Sequence, residues 1–381
     1  MHRRQGGAAL LILLLMLSVG LAGMLLSARD SAEKQRAAGT VEDAVVLARA
    51  RDVLLARALA DQNRPGSMPC AAADDEGKGT FNGDNCETSF GRFPHHTLEI
   101  VPLRTRDGDP LLYVMDKGLR DRSNAEPINP QAKPGSLTFN GEDGYAAVLL
   151  APGPPLPGQI RDADADMSDY LEDGNEQGPA FKDCWPGDDC NDRAIGIKTD
   201  ELFHRVQQRV VQRVADELRE FYSHSGEASG DRYLPYAADF GSRECEEQRN
   251  LGQLAFEDQD DDCLDDDAEV LDIADFEYSE GNNWIDANDW FDLIVYHVDP
   301  QCSRTEQECD DVTFEVDGEQ VHAVVAASGR ALEDQSRPGD SVSDYLDHPD
   351  NRDGGSNYVT RPLGTEHNDV VLGIDVFEEP S

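Results

Sequence analysis

Five acidic residues in the second half of the chain have the spacing of a calcium-binding loop. Counted from the first, they occupy positions 1, 3, 5, 9 and 12 of a twelve-residue segment, and such loops bind Ca²⁺ through oxygen atoms at these positions. Cys263 occupies position 6, where the sharp turn of such a loop needs Gly. Aspartate is frequent in this chain, so the same spacing also fits a solvated acidic loop, and both interpretations stay open. The five residues are Asp258, Asp260, Asp262, Asp266 and Glu269.

The motifs of common catalytic sites are missing from the sequence. There is no G-x-S-x-G, no HExxH and no GxxxxGK[ST]. His95 and His96 are adjacent, which favours a pair in a loop over a pair of metal ligands. Glycoside hydrolysis needs only two carboxyl groups in one cleft, so composition does not exclude it. Trp185, Trp284 and Trp290 are expected to anchor the core or a sheet rather than to bind carbohydrate. We therefore expect a protein that is not an enzyme.

The charge of the chain excludes nucleic acid as a partner. With 77 acidic and 33 basic residues, the 381-residue chain has a formal net charge of −44 at pH 7. A negative field of this size repels phosphate backbones and attracts cations. Hydrophobic residues make up 39% of the chain, which is typical of a folded protein, and the length is sufficient for two domains.

The eight cysteines form four pairs of near neighbours, and each pair brackets a loop rich in Gly, Asp or Glu. An even number of cysteines in an exported chain indicates disulfides, and we expect each near pair to be bonded. A zinc site is the alternative, but the sequence has no CxxC and no His with the spacing of a zinc finger. The pairs are Cys70 and Cys86, Cys184 and Cys190, Cys245 and Cys263, and Cys302 and Cys309.

The N-terminus contains an uncharged segment, Ala8–Ser27, that follows Arg3 and Arg4. A helix of about 20 residues spans the hydrocarbon core of a membrane. Because basic residues stay in the cytoplasm, the segment predicts an inner-membrane anchor with a large periplasmic or extracellular domain after Arg29. A cleaved secretory signal that ends near Ser27 is the alternative.

The segment from Arg3 to Leu11 (RRQGGAALL) resembles the leader and cleavage junction of type IV pilin-like proteins. The resemblance implies that a prepilin peptidase cuts between Gly7 and Ala8, that the new N-terminus is methylated, and that the helix packs against other pilin-like subunits. Pilins usually have Glu at mature position five, where this chain has Ile12. Members without that Glu are chiefly minor pilins or pseudopilins, which start or cap a filament.

Two helices are predicted outside the uncharged segment. Residues 31–60 have apolar side chains near helical spacing and extend the N-terminal helix as far as the breaker cluster at residues 63–66. A second helix is predicted for Thr199–Ser223, with Thr199 as its N-cap. The segments between them have the short apolar runs and turn residues that are typical of strands.

The second half of the chain repeats the first. Leu137-Thr138-Phe139 is similar to Val312-Thr313-Phe314, and Asp169-Tyr170-Leu171 is identical to Asp344-Tyr345-Leu346. The offsets are 175 to 177, and an ordered series at one spacing indicates duplication. We expect the central strands, residues 147–150 and 323–326, to occupy equivalent places in two sheets. The predicted divisions are a leader (1–7), a membrane and spine helix (8–62), a first module (63–198) and a second module (199–381).

These observations predict an α+β fold, with a long N-terminal spine helix followed by two related modules of helix and antiparallel sheet. Together with the APG-x-x-LPGQ segment, the leader resembles that of large pilin-like proteins of Gram-negative bacteria. The resemblance implies a non-enzymatic minor pilin or pseudopilin of a type IV pilus or type II secretion apparatus, at the tip or flank of the filament. The alternative is a surface adhesion or binding protein that is anchored by one membrane span and depends on calcium. A membrane-tethered hydrolase is a third interpretation.

Overall fold

The fold is known from a computed structural model of the full chain. It describes residues 41–122, 126–161, 165–184, 189–225, 232–245, 248–258, 271, 283–303, 309 and 312–377, with the backbone alone at residues 244, 245, 257 and 258.

Two helices lie at the centre of the described structure. Helix α1 comprises residues 41–60, and its buried side chains recur at helical spacing, among them Leu47, Leu54 and Ala58. After α1, the Asp61 carboxylate accepts the backbone N–H groups of Asn63 and Arg64, and the chain leaves the helix there. The second central helix is α2 (Thr199–His224), and the two short helices are α3 (Trp284–Ala287) and α4 (Pro349–Arg352).

The first half of the chain forms the sheet that we call sheet A. Its strand order is β3-β4-β6-β5-β7, and β8 pairs with β6 as well. Strand β6 is the central strand, and it is antiparallel to β4, β5 and β8. The strands of this half are β1 (Phe81–Asn82), β2 (Asn85–Cys86), β3 (Phe90–Arg92), β4 (Leu112–Met115), β5 (Leu137–Phe139), β6 (Glu142–Ala151), β7 (Ala180–Phe181) and β8 (Arg193–Lys198).

The second half forms sheet B, with the order β18-β16-β13-β11-β9, and a smaller sheet with the order β15-β14-β17. Strand β16 is antiparallel to both of its neighbours, β13 and β18. The strands of this half are β9 (Ala237–Ala238), β10 (Glu244–Cys245), β11 (Leu251–Leu254), β12 (Glu257–Asp258), β13 (Ile294–Val298), β14 (Phe314–Val316), β15 (Glu319–Val321), β16 (Ala323–Ala327), β17 (Asn357–Tyr358) and β18 (Val370–Ile374).

The two halves repeat one pattern of strand pairing. Strand β6 lies between β4 and β8 as β16 lies between β13 and β18. Strand β5 pairs in parallel with β7, and β14 does so with β17. Side chains repeat as well, since the Tyr113 hydroxyl donates to the Pro69 carbonyl and the Tyr296 hydroxyl donates to the Pro235 carbonyl. The residues predicted as equivalent strands therefore lie at equivalent, central places.

The largest core cluster is shared by α1, α2 and both sheets. Helix α2 contacts β16 and β18 of sheet B and also β6 and β8 of sheet A. Trp284 and Trp290 are fully buried in this core, and Phe203 of α2 packs edge-on against Trp290. Both tryptophans are therefore core anchors, as the sequence predicts, whereas Trp185 lies outside the described residues.

The predicted α+β fold with a long N-terminal spine helix is wrong. Sheet predominates in the regular structure of the described residues, and no long apolar helix occurs among them. The sequence-based prediction treated residues 31–60 as the continuation of a membrane helix. In the structure, α1 buries one face against the core and carries charged residues such as Glu42, Arg49 and Asp52 on the other. It is therefore an amphipathic helix of the folded domain.

The predicted localisation is corrected for a related reason. Within the ranges given above, no helix is both long enough and apolar enough to span a membrane. The segment Ala8–Ser27, for which the anchor is predicted, lies outside those ranges. An inner-membrane anchor through an N-terminal helix is therefore not supported.

Candidate functional site

The duplicated loops bring two matching sets of polar residues together. The loop after β6 has the pattern G-x-x-L-x-x-Q-x-R at residues 153–161, and the loop after β16 repeats it at residues 329–337. We name the sets by their Arg and carboxyl residues. The first Arg–carboxyl cluster is Gln159, Arg161, Glu172, Asn191 and Asp192, and the second is Gln335, Arg337, Asp347, Asn368 and Asp369.

Arg161 ties the first loop to the segment that follows it. Its side chain is 5% exposed and forms an ion pair with Asp109 at 2.5 Å. Its guanidinium group also donates to three backbone carbonyl oxygens, those of Gly153 (2.7 Å), Asp169 (2.8 Å) and Tyr170 (3.3 Å). The same group lies over the Tyr170 ring, 5.4 Å from its centroid. A planar guanidinium with five N–H donors suits this task, which the ammonium group of Lys cannot perform.

Arg337 makes the equivalent contacts in the second cluster. It donates to the carbonyl oxygens of Gly329, Asp344 (2.7 Å) and Tyr345 (2.8 Å). Its guanidinium carbon lies 5.5 Å from the centroid of the Tyr345 ring. Burial lowers the pKa of Arg337, and the negative charge of Asp369 opposes that effect.

In each cluster, one carboxyl group accepts the backbone N–H of the other acidic residue, and the second accepts the backbone N–H of the neighbouring Asn. In the first cluster, the Glu172 N–H donates to Asp192 Oδ2 (3.1 Å) and the Asn191 N–H donates to Glu172 Oε2 (3.2 Å). In the second cluster, the Asp347 N–H donates to Asp369 Oδ2 (2.6 Å). The Asn368 N–H donates in return to Asp347 Oδ2 (2.7 Å). Two carboxyl groups are thus held side by side in each half of the molecule.

Burial raises the pKa of three of these carboxyl groups, those of Asp192, Asp347 and Asp369. Desolvation is the main cause of the raised pKa of Asp192, and its neighbour Glu172 adds to it. Desolvation also raises the pKa of Asp369 and of Asp347, and the Asp347 charge raises that of Asp369 further. Since a neighbouring carboxylate disfavours ionisation of a buried carboxyl group, the raised pKa values of Asp192 and Asp369 favour one retained proton in each cluster near neutral pH.

A glycine is required where each loop begins. A Cβ atom on Gly153 would lie 2.3 Å from Asn191 Oδ1, and one on Gly329 would lie 2.1 Å from Asn368 Oδ1. The amide groups of these two asparagines donate to the carbonyl group of the next loop residue, Pro154 or Arg330. The Asn-Asp pairs therefore hold the loops at their start, and the arginines hold them at their end.

The geometry of the clusters favours a structural role. The arginines bind backbone carbonyl groups, and the carboxyl groups accept backbone N–H groups. These side chains therefore hold each loop against the segments of the chain that follow it. The carboxyl pair of a glycosidase instead faces a cleft that holds the sugar. The sequence signal for both clusters is the repeated G-x-x-L-x-x-Q-x-R pattern followed by Asn-Asp, which the search for catalytic motifs missed.

Three of the four predicted cysteine pairs are disulfides in the structure: Cys70–Cys86, Cys184–Cys190 and Cys302–Cys309. For the fourth pair, Cys263 lies outside the described residues.

The predicted calcium loop and the predicted processing site cannot be placed. Asp260, Asp262, Asp266 and Glu269 lie outside the described residues, as do Gly7 and Ala8, and only the backbone of Asp258 is described. Both sites therefore stay predictions.

His95 and His96 lie in a turn, half-buried and exposed respectively. Where the structure describes side chains, one group of three potential metal ligands comes close together, namely Cys184, Cys190 and Asp192. Its two sulfur atoms are bonded to each other, so this group does not form a metal site in the oxidised protein.

Comparison of the chain with protein families, with characterised proteins and with solved structures finds no match. A functional proposal therefore depends on the residues and contacts described above.

Proposed function

We propose that this protein is a non-enzymatic, pilin-like assembly subunit that takes part in a type IV pilus or a type II secretion apparatus as a minor component. Two kinds of observation support the proposal. The residues Arg3–Leu11 resemble a pilin leader junction, and the exposed surface of α1 has the character of a subunit contact. The proposal does not depend on a membrane span.

The exposed apolar residues of α1 carry the proposal. Val41 is 65% exposed and Val45, one helical turn further, is 62% exposed. Val101, which is also 65% exposed, belongs to the loop whose Arg106 N–H donates to Asp43 Oδ1 (2.9 Å). Exposed apolar side chains one helical turn apart on a very acidic protein favour a contact with another subunit. The contact would lie at the end of α1 that leads to the predicted leader.

The Arg–carboxyl clusters are consistent with an assembly role. They hold the two loops in one conformation through buried arginines that bind backbone carbonyl groups and carboxyl groups that accept backbone N–H groups. A rigid domain of this kind presents a fixed surface to its partners, and preorganisation of that kind lowers the cost of association.

The first test is the N-terminus of the mature protein. We expect mass spectrometry of the protein from its native host to find Ala8 as the first residue, with a methylated amine. Replacing Gly7 with a bulky residue should leave the seven-residue leader attached, because the junction that the peptidase recognises is altered. A mature protein that begins at Arg29 or at Met1 would contradict the pilin-like class.

The second test concerns the surface of α1. In Val41→Asp/Val45→Asp, the amount of protein in sheared filament or secretion-complex fractions should fall by about tenfold or more. Burial of one valine stabilises an interface by about 1.5 kcal/mol, and a buried carboxylate adds a further cost. Arg49→Ala/Asp52→Ala, which changes exposed charged residues on the same helix, is the control and should assemble normally. Equal assembly of all three proteins would exclude this surface as the contact.

A further inference from the structure

The first Arg–carboxyl cluster has a cysteine next to its Asn-Asp pair, where the second has a histidine. Cys190 directly precedes the pair in the first cluster, and His367 has the equivalent place in the second. In the oxidised protein Cys190 is bonded to Cys184. One potential ligand atom from each of Cys184, Cys190 and Asp192 lies within 4.8 Å of the other two. Reduction of the disulfide would therefore leave two thiols beside a buried carboxyl group.

The separation of these atoms fits one tetrahedral metal ion. Zn²⁺ binds thiolate sulfur at about 2.3 Å and carboxylate oxygen at about 2.0–2.2 Å, so a sulfur and an oxygen ligand lie about 3.6 Å apart. Cys190 Sγ lies 3.9 Å from Asp192 Oδ2. Two sulfur ligands of one such ion lie about 3.8 Å apart, which a bonded pair cannot reach. The Cα atoms of the two cysteines are 5.8 Å apart, and after reduction each sulfur can rotate about its own Cα–Cβ bond. Reduction is thus the step that opens the site.

The Asp192 carboxyl group has an oxygen to offer to such an ion. The residue is fully buried, with 0% of its surface exposed. Its Oδ2 atom accepts the Glu172 N–H (3.1 Å) and the Asn175 amide (3.0 Å). Its Oδ1 atom is also buried, and it accepts no hydrogen bond from the N–H or hydroxyl groups of the described residues. A buried polar atom without a partner costs free energy, and a bound cation would remove that cost.

Asn175 orients two of the three potential ligands. Its amide nitrogen donates to Asp192 Oδ2 and lies 3.9 Å from Cys184 Sγ. The Lys182 N–H donates to Asn175 Oδ1 (2.9 Å), which fixes the orientation of the amide. Hydrogen bonds of this kind hold metal ligands in place and favour their charged forms. Cys190 is buried and Cys184 is half-buried, so a reductant and a metal ion can reach the pair from the side of Cys184.

We propose that reduction of the Cys184–Cys190 disulfide creates a site for one divalent metal ion of the Zn²⁺ type, with Cys184, Cys190 and Asp192 as its ligands. A dithiol reductant gives the disulfide two electrons and two protons and itself becomes a disulfide. The ion then binds both sulfur atoms as thiolates, and the protons that it displaces pass to the buffer. Two thiolates select Zn²⁺ over Ca²⁺ and Mg²⁺, which prefer sites built from oxygen alone. The disulfide and the metal ion are thus alternative cross-links before β8. This inference is independent of the proposed function.

The test measures how Zn²⁺ changes the alkylation rate of each cysteine in the full-length protein. Dithiothreitol reduces the protein and is removed under nitrogen, because it binds Zn²⁺ itself, and excess Mg²⁺ occupies the oxygen sites of the acidic surface. Iodoacetamide is added with one equivalent of Zn²⁺ or with EDTA, and mass spectrometry gives the rate at each cysteine. We expect Zn²⁺ to slow the alkylation of Cys184 and Cys190 by about tenfold or more, because a sulfur atom bound to a metal is not free to attack. Cys302 and Cys309 should be slowed much less, since no third ligand lies beside them among the described side chains.

Matched variants identify the third ligand. Asp192→Asn keeps the size of a protonated carboxyl group but removes the anionic ligand, so the protection by Zn²⁺ should fall by about tenfold or more. Asp369→Asn makes the same change in the second cluster and should keep full protection. The proposal is overturned if Zn²⁺ does not slow the alkylation of Cys184 and Cys190 in the reduced wild type, whether or not that protein is folded. Equal protection in Asp192→Asn and the wild type would also overturn it. If Asp192→Asn fails to fold, Co²⁺ bound to the reduced wild type decides, because the visible absorption of a tetrahedral complex supports the site and its absence overturns it.

Discussion

Replacing Arg161 with methionine is expected to lower the free energy of unfolding by about 3–5 kcal/mol. The methionine fills much of the arginine's volume but donates no hydrogen bond. The carbonyl groups of Gly153, Asp169 and Tyr170 would lose a charged donor, and the carboxylate of Asp109 would lose its ion-pair partner. Because Arg161 is 5% exposed, water cannot readily replace these bonds. Urea unfolding of the full-length protein measures the change.

The equivalent arginine of the second cluster, Arg337, allows the same substitution to be compared in both halves of the molecule. Arg337→Met should also be strongly destabilising, because it removes the same three kinds of carbonyl contact. Arg49→Met, at an exposed position on α1, should change stability by less than about 0.5 kcal/mol. The two substituted arginines lie in loops that follow strands of different sheets, so their effects should add within about 0.5 kcal/mol. If Arg161→Met unfolds like Arg49→Met, the guanidinium does not clamp the loop.

Features that depend on local spacing could be predicted from the sequence. The apolar residues at helical spacing predict a helix for Thr199–Ser223, and the structure has it as Thr199–His224. Even here a detail differs, since Lys198 takes the N-cap position and the Thr199 hydroxyl donates to the Gly144 carbonyl of sheet A. The three described disulfides join near neighbours, as local pairing predicts.

The N-terminal region shows why a periodic pattern can mislead. Apolar residues near helical spacing look alike in the extension of a membrane helix and in an amphipathic helix that packs on a sheet. What separates the two is the partner of the apolar face. In the structure the buried face of α1 packs in the common core of the domain, and no pattern within residues 31–60 specifies that partner.

The Arg–carboxyl clusters were beyond sequence-based prediction for another reason. Glu172 and Asp192 are 20 residues apart, and the pairing of β8 with β6 brings Asp192 back to the start of the loop. The repeated residues of the two halves indicate duplication, but they do not show that the arginines bind backbone or that burial raises the pKa of Asp192 and Asp369. Those facts depend on strand register and burial, which tertiary structure determines.

The raised pKa values of the clusters predict that the protein loses stability as the pH rises from about 6.5 to 8. Burial raises the pKa of Asp192 to about 7 from a usual value of 3.8. Between about pH 4 and pH 7 the unfolded state has therefore lost this proton while the folded state still holds it. The contribution of such a group to stability then falls as the pH rises through this window, by up to about 1.4 kcal/mol per pH unit. Asp369 in the second cluster acts in the same direction.

Other acidic residues act in the opposite sense, but at lower pH. Hydrogen bonds from Thr360 and Arg352 lower the pKa of Asp317 and of Asp334. Carboxyl groups with a lowered pKa stabilise the folded state above their unfolded pKa, and that stabilisation is lost below about pH 4. Between about pH 4 and pH 6.5 a buried histidine opposes the clusters, because burial lowers the pKa of His297 to about 4 and the unfolded state then binds more protons there. The raised pKa values of the clusters therefore dominate between about pH 6.5 and pH 8, together with the repulsion among surface charges that salt screens.

Asp192→Asn/Asp369→Asn separates the clusters from the surface charge. An asparagine amide has the size of a protonated carboxyl group and carries no proton that titrates, so we expect the variant to match the wild type near pH 5 and to be more stable at pH 8. Urea midpoints of the full-length protein at pH 5, 6, 7 and 8 in high salt measure the difference. Asp52→Asn/Glu76→Gln removes two exposed charges and should follow the wild type at every pH. Parallel pH profiles for the cluster variant and the wild type would mean that the carboxyl pairs are ionised in the folded protein, since a pair without a shared proton adds no pH dependence in this window.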